Sequence, residues 1–172
     1  MKEHDRNVLF SSSSTECETP QDFFRGLDRI YYFNLDAAAT PENTKCEHFF
    51  TKEDDALKQR WSGYGSVWCN PPYGREIGAF VEKAYQEGRA GTLVVMLLPA
   101  RTDTKWWHDY VMKAREIYFV KGRLKFSGSA NSAPFPSAVA VFYNDAPPHG
   151  PRIYSMNKQG KPLGRRMNES LV

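Results

Sequence analysis

Asn70-Pro71-Pro72-Tyr73 is the segment with the clearest chemical potential. The side-chain oxygen of Asn70 is one hydrogen-bond acceptor, and the backbone carbonyl of Pro71 is a second. Consecutive prolines hold φ near -65° and remove two amide donors, so such a loop is stiff and aims its carbonyls in a set direction. Two convergent acceptors suit an amino group conjugated to a ring, such as that of adenine. Its lone pair is delocalised, and it becomes nucleophilic only when drawn toward tetrahedral geometry. Tyr73 adds a flat ring on which an extruded base can stack, worth roughly 1 to 3 kcal/mol by analogy with other base-aromatic contacts. The alternative for the four residues alone is a rigid turn that ends a strand.

The flanking pattern positions this loop. Val67-Trp68-Cys69 reads as a buried strand that must stop at Asn-Pro-Pro, which continues neither a helix nor a sheet ladder. Ile77, Phe80, Val81, Ala84 and Tyr85 then form one apolar stripe on a helix ending near Gly88. Upstream, Thr19-Pro20 fits an N-cap with proline at the first helical position, followed by Phe23, Phe24, Leu27 and Ile30 at helical spacing. Residues 31–35 are predicted as a strand that delivers Asp36 to its carboxyl end. Residues 92–98 read as a strand buried on both faces. A helix over 103–114 and strands over 117–120 and 138–142 complete the alternation, the last two strands joined by a connection rich in Gly, Ser, Asn and Pro. Alternation of this kind predicts an α/β domain with a largely parallel sheet, whose ligands sit beyond the carboxyl ends of the strands.

A chain of 172 residues with 41% hydrophobic content can build one core. The predicted organisation is a flexible arm over 1–18, a catalytic domain over 19–143, and a basic, loosely structured tail over 144–172 that lies on phosphate. A net charge of +3 does not separate DNA binding from ordinary solubility. Cys17, Cys46 and Cys69 follow no CxxC pattern and read as inert thiols, and no histidine spacing argues for a metal. No apolar run reaches the roughly 18 residues of a membrane span, so a cytoplasmic protein without a membrane partner is expected.

From Thr19 to about Tyr143 the sequence resembles the phage-type, Dam-like DNA N6-adenine methyltransferases. The resemblance rests on Asn70-Pro71-Pro72-Tyr73-Gly74 together with Thr19-Pro20, Leu35-Asp36-Ala37-Ala38, and Asp55-Ala56-Leu57 followed by Trp61. It continues through Leu97-Leu98-Pro99-Ala100-Arg101-Thr102, Gly122-Arg123-Leu124-Lys125-Phe126 and Pro134-Phe135-Pro136-Ser137-Ala138. Several motifs in one order are far more specific than the tetrapeptide.

The resemblance implies a compact Rossmann-like methyltransferase fold with helices on both faces of the sheet and no separate target-recognition domain. It implies S-adenosylmethionine as methyl donor and DNA as substrate, with Asn70, Pro71, Pro72 and Tyr73 as the catalytic loop. Asp36 and Ala37 fall where such enzymes hold the cofactor, Thr19 and Pro20 beside its methionine moiety, and Asp55 near its adenine. For Asp36 the competing reading is a solvated strand end, for Thr19 a helix cap, and for Asp55 an exposed acidic helix start. Arg123 and Lys125 are placed against phosphate and Phe126 near the target base, with an ordinary strand edge as the alternative. The loop after Asp36 lacks the glycines many relatives carry there, and Glu47 is the nearest candidate for a ribose-binding acid. Site specificity is then relaxed, or supplied by residues 127–136, by the tails, or by a second subunit in a homodimer. Related Asn-Pro-Pro-Tyr enzymes that act on RNA or on protein glutamine amides are the competing reading, and a non-catalytic DNA-binding module is the other.

Overall fold

The computed structural model describes residues 17–164, so the predicted arm lies almost wholly outside the described residues, as does the end of the predicted tail. Helix α1 (Gln21–Tyr31) leads into β1 (Leu35–Asp36), β2 (His48–Phe49) and β3 (Ser66–Cys69). Helix α2 (Ile77–Arg89), strand β4 (Leu93–Pro99) and the short α3 (Lys105–Asp109) follow. The described chain then continues through β5 (Glu116–Val120), β6 (Ser137–Phe142), β7 (Arg152–Met156) and β8 (Pro162–Leu163).

The strands form a single sheet in the order β2-β1-β3-β4-β6-β5-β7-β8. β1 pairs in parallel with β2 and β3, β3 with β4, and β5 with β7. β6, however, runs antiparallel between β4 and β5, and β8 antiparallel on β7. The sheet is therefore mixed rather than largely parallel as expected. A parallel return needs a crossover of a dozen or more residues, usually through a helix. Residues 121–136 form no helix, and β6 comes back beside β5 in the opposite sense.

Because side chains alternate across a strand, β3 and β4 feed two cores at once. Val67, Cys69, Val94, Met96 and Leu98 face Ile77, Phe80, Val81 and Ala84 of α2. Trp68, Val95 and Leu97 face Phe23, Phe24, Leu27 and Tyr31 of α1. Helices thus cover opposite faces, and the central strands are apolar throughout because both their sides are buried. The approach of α2 to β6 is close enough that a Cβ at Gly88 would stand 2.7 Å from the Phe142 Cβ.

Several boundaries differ from expectation. α1 continues through Tyr31, and Tyr32 closes it in the left-handed conformation at φ 52, with the Phe33 amide donating to Asp28 Oδ1 at 2.8 Å. Of the predicted strand over 31–35 only Leu35 is in β1, which ends with Asp36. Pro20, not Thr19, occupies the cap position, and no side chain caps the helix. The helix expected over 103–114 breaks at Tyr110, φ -128, into α3 and a 3-10 turn over Val111–Lys113. Trp107 and Val111 are both buried in the core.

The largest departure is the region predicted as a loose tail: residues 152–163 complete the sheet. Their turn is seated on α1 so closely that a Cβ on Gly26 would fall 1.9 Å from the Gln159 carbonyl oxygen. One on Gly160, at φ +68, would meet the Phe23 oxygen at 2.3 Å. Glycine at both positions lets backbone meet backbone.

Candidate active site

The carboxyl ends of β1 and β3 open onto a cleft of about 920 Å³, whose wall includes Thr19, Asp36, Ala37, Asp55, Asn70, Pro71 and Pro72. The parallel register Asp36↔Trp68 sets Asp36 and Asn70 at neighbouring strand ends. Residues 34 positions apart in the chain thereby become adjacent around one cavity. Pro20 lies just outside the wall, at the start of α1.

Asn70 is held from one side. Its Nδ2 donates to the Cys17 carbonyl at 2.6 Å and to Thr19 Oγ1 at 3.0 Å. Because the Cys17 carbonyl can only accept, the amide nitrogen must face it, and this fixes which end of the side chain carries the oxygen. Oδ1 is left buried with no hydrogen-bond partner among the described residues. A buried acceptor without a partner costs about 1 to 3 kcal/mol. That deficit is relieved when a ligand brings a donor.

Asp36 is 3% exposed, so the solvated reading of this strand end does not apply. The Ala38 amide donates to its Oδ1 at 3.3 Å and the Lys45 amide to its Oδ2 at 3.0 Å. Burial outweighs both bonds and the Lys45 charge, and lifts the carboxyl from its ordinary 3.8 to about 6. An acid poised this way is stabilised by an incoming cation. Burial also raises all three thiols, Cys46 to about 12, so none supplies a ready thiolate nucleophile.

Tyr73 is half-buried. Its ring meets those of Phe135 (centroids 5.5 Å apart) and Phe126 (6.2 Å) edge to face, and its hydroxyl donates to the Leu97 carbonyl at 3.4 Å. Phe126 itself is 4% exposed, which places it under Tyr73 and not out toward a base. Arg123 and Lys125 alternate with buried Leu124 and Phe126 and are exposed, with Arg123 Nη1 donating to the Ala133 carbonyl at 3.3 Å. Asp55 adopts φ 54 in a turn, where an acidic helix start was the alternative, and pairs with Lys58 at 2.8 Å. Glu47 is exposed, and the carboxylates nearest the cleft besides Asp36 and Asp55 are Glu18, Glu42, Glu53 and Glu76.

Sequence reading missed Cys17, Glu18 and Lys45. Lys45 Nζ bonds Glu18 Oε1 at 3.1 Å while its backbone amide holds Asp36. The Ser127 amide donates to the Glu18 carbonyl at 3.0 Å. Residues 17–19 thus tie the Asp36 loop, the Asn70 loop and the segment after Phe126 together. No local pattern announces such contacts, which span up to 109 residues between Glu18 and Ser127.

A single-sheet α/β domain with a cleft beyond its parallel strand ends, a desolvated acid on one wall and a stiff acceptor loop on another, is compatible with a methyltransferase fold. The profile of the DNA N-6-adenine-methyltransferase (Dam) family matches residues 10–155, and the chain belongs to that family. A protein of Escherichia phage T1 named DNA N-6-adenine-methyltransferase is 37% identical over 107 residues, covering 62% of this chain and 44% of the relative. One of the same name from Haemophilus phage HP1 is 36% identical over 95 residues, 55% of this chain and 54% of the relative. The chain spans about half the length of these curated relatives.

Proposed function

We propose that this protein transfers a methyl group to the N6 amino group of adenine in DNA, with S-adenosylmethionine as donor, on a compact Rossmann-like domain. The observation that carries the reading is the buried, unpartnered Oδ1 of Asn70 beside the Asp36 cleft. The fold reading draws on strand direction: β6 and β8 are the reversed strands, and the others share one sense.

The cleft fits the donor in size and charge. Its volume lies in the range of cofactor sites, about 300 to 1,000 Å³. Asp36 and Ala37 hold the donor's cationic end, Thr19 lines that wall with its hydroxyl turned to Asn70, Pro20 stiffens it from behind, and Asp55 stands toward the adenosine end. When bound, S-adenosylmethionine supplies an electrophilic methyl on a sulfonium.

The remaining work falls to the chain. Asn70 Oδ1 accepts one N6 hydrogen and the Pro71 carbonyl the other, which localises the nitrogen lone pair for in-line attack. Pro72 keeps the loop from relaxing, and Tyr73, backed by Phe126 and Phe135, stacks on the extruded base. Asn70 is neutral and orients the amine without taking its proton, which leaves to solvent after transfer. Arg123 and Lys125 contact phosphate from their exposed positions on the same segment. Phe126 acts through Tyr73.

Incubation with methyl-labelled S-adenosylmethionine and, separately, adenine-containing DNA, RNA and a protein mixture tests the reading. Label in DNA as N6-methyladenine is expected. Label confined to RNA or protein refutes the substrate assignment.

A further inference from the structure

Given the function proposed above, we infer that Thr19 is a positioning residue: its hydroxyl, with the Cys17 carbonyl, holds the Asn70 amide by its nitrogen. The buried Oδ1 is thus the end left without a partner among the described residues, beside the cleft. An asparagine amide has two orientations of nearly equal shape, and only one presents an acceptor to an incoming amine. Reversal would set Oδ1 against the Cys17 carbonyl oxygen across the 2.6 Å now spanned by Nδ2, with a second oxygen, Thr19 Oγ1, at 3.0 Å. The Cys17 carbonyl can only accept and repels a reversed Oδ1, which disfavours that state. Thr19 Oγ1, which can donate as well as accept, adds a second bond that holds the side-chain rotamer.

The helix-cap role that sequence pattern offers for Thr19 is not taken up, since α1 has no side-chain cap bond. Thr19 is instead 2% exposed, with its hydroxyl oxygen accepting from Asn70. Its segment is pinned at Glu18, the residue before that contact. Lys45 holds the Glu18 carboxylate at 3.1 Å, and the Ser127 amide holds the Glu18 carbonyl at 3.0 Å. Lys45 also carries the amide bonded to Asp36. The segment that orients the acceptor is therefore fastened to the loop around the buried acid.

Thr19→Val keeps the side-chain shape and removes the acceptor, whereas Thr19→Ser keeps the acceptor. The expected result for Thr19→Val is a fall in kcat of about tenfold with KM for DNA and donor within about twofold, because orientation and not binding is lost. Thr19→Ser recovers most of the turnover, and Thr19→Ala shows the same drop as valine. An activity-independent readout accompanies the kinetics: the Asn70 side-chain NH2 signals in a 15N-labelled sample, identified by their loss in Asn70→Ala. They shift in Thr19→Val and stay in place in Thr19→Ser.

Unchanged kcat with unmoved NH2 signals in Thr19→Val overturns the inference. So does a rise in donor KM at constant kcat, which would assign the hydroxyl to the donor. A wild-type chain that methylates no DNA, yet whose NH2 signals respond as stated, supports the positioning contact and refutes the proposed function instead.

Discussion

Asp36 offers a quantitative handle on the cleft. Burial raises its carboxyl from 3.8 to about 6, so the proton is bound more tightly in the folded chain than in the unfolded one. The sign follows: this group makes stability fall as pH rises from about 4 to about 6, and its full cost, about 3 kcal/mol, is present above that window. Donor binding has the opposite slope. If the cationic donor requires the ionised acid, the competent fraction is about 0.9 at pH 7 and 0.1 at pH 5, and Kd weakens about tenfold between them.

Calorimetric titration of S-adenosylmethionine at half-unit steps from pH 5 to 7.5 measures the binding slope, and urea unfolding of the free chain measures the stability slope. Asp36→Asn removes both slopes. It also loses affinity, because an amide offers no charge and sets its NH2 against one of the Ala38 and Lys45 amides that the carboxylate accepts. A wild-type Kd that is flat from pH 5 to 7, or an Asp36→Asn variant that keeps the wild-type slope, refutes the assignment of Asp36 to a cation.

Removing the acceptor in Asn70→Ala should lower turnover by about two orders of magnitude or more while donor Kd changes less than about threefold, checked by single-turnover methylation and calorimetry. Phe126→Ala, in the core under Tyr73, should destabilise the fold by about 3 to 5 kcal/mol in urea unfolding, and also weaken turnover through Tyr73. Arg123→Ala and Lys125→Ala should each weaken DNA binding with little sequence dependence and reduce the salt slope by about one, as fluorescence anisotropy across a salt series would show. Gly26→Ala should push the turn at Gln159 off α1 and expose residues 157–160 to limited proteolysis at a site protected in the wild type.

The stiff turn at Asn70-Pro71-Pro72 was legible because its geometry is local. Two prolines after an apolar strand impose a stop and a stiff turn whatever surrounds them, and Asp36 at a strand end follows from the same short-range reasoning. The two apolar stripes, Phe23 to Leu27 and Ile77 to Ala84, likewise announce helices that need a sheet to cover, one on each face. Pairing direction is another matter. β6 joins antiparallel because its connection lacks a crossover helix, and that consequence appears only when strands are laid side by side. β7 escaped notice because its side chains are mostly exposed and its stability comes from backbone bonds to β5, which leave no apolar period in the chain.

The same division runs through the site. Residue type and spacing indicate that Asn70 carries an acceptor, but not which way the amide points. That was decided by Cys17, more than 50 positions away, whose carbonyl can accommodate only the nitrogen, with Thr19 Oγ1 as its second partner. Nor does the sequence indicate that Asp36 is an acid of unusual affinity for its proton, since desolvation comes from the folded surroundings that bury it and not from the residue. Local covalent geometry determined the loop; long-range packing set its polarity and the charge opposite it.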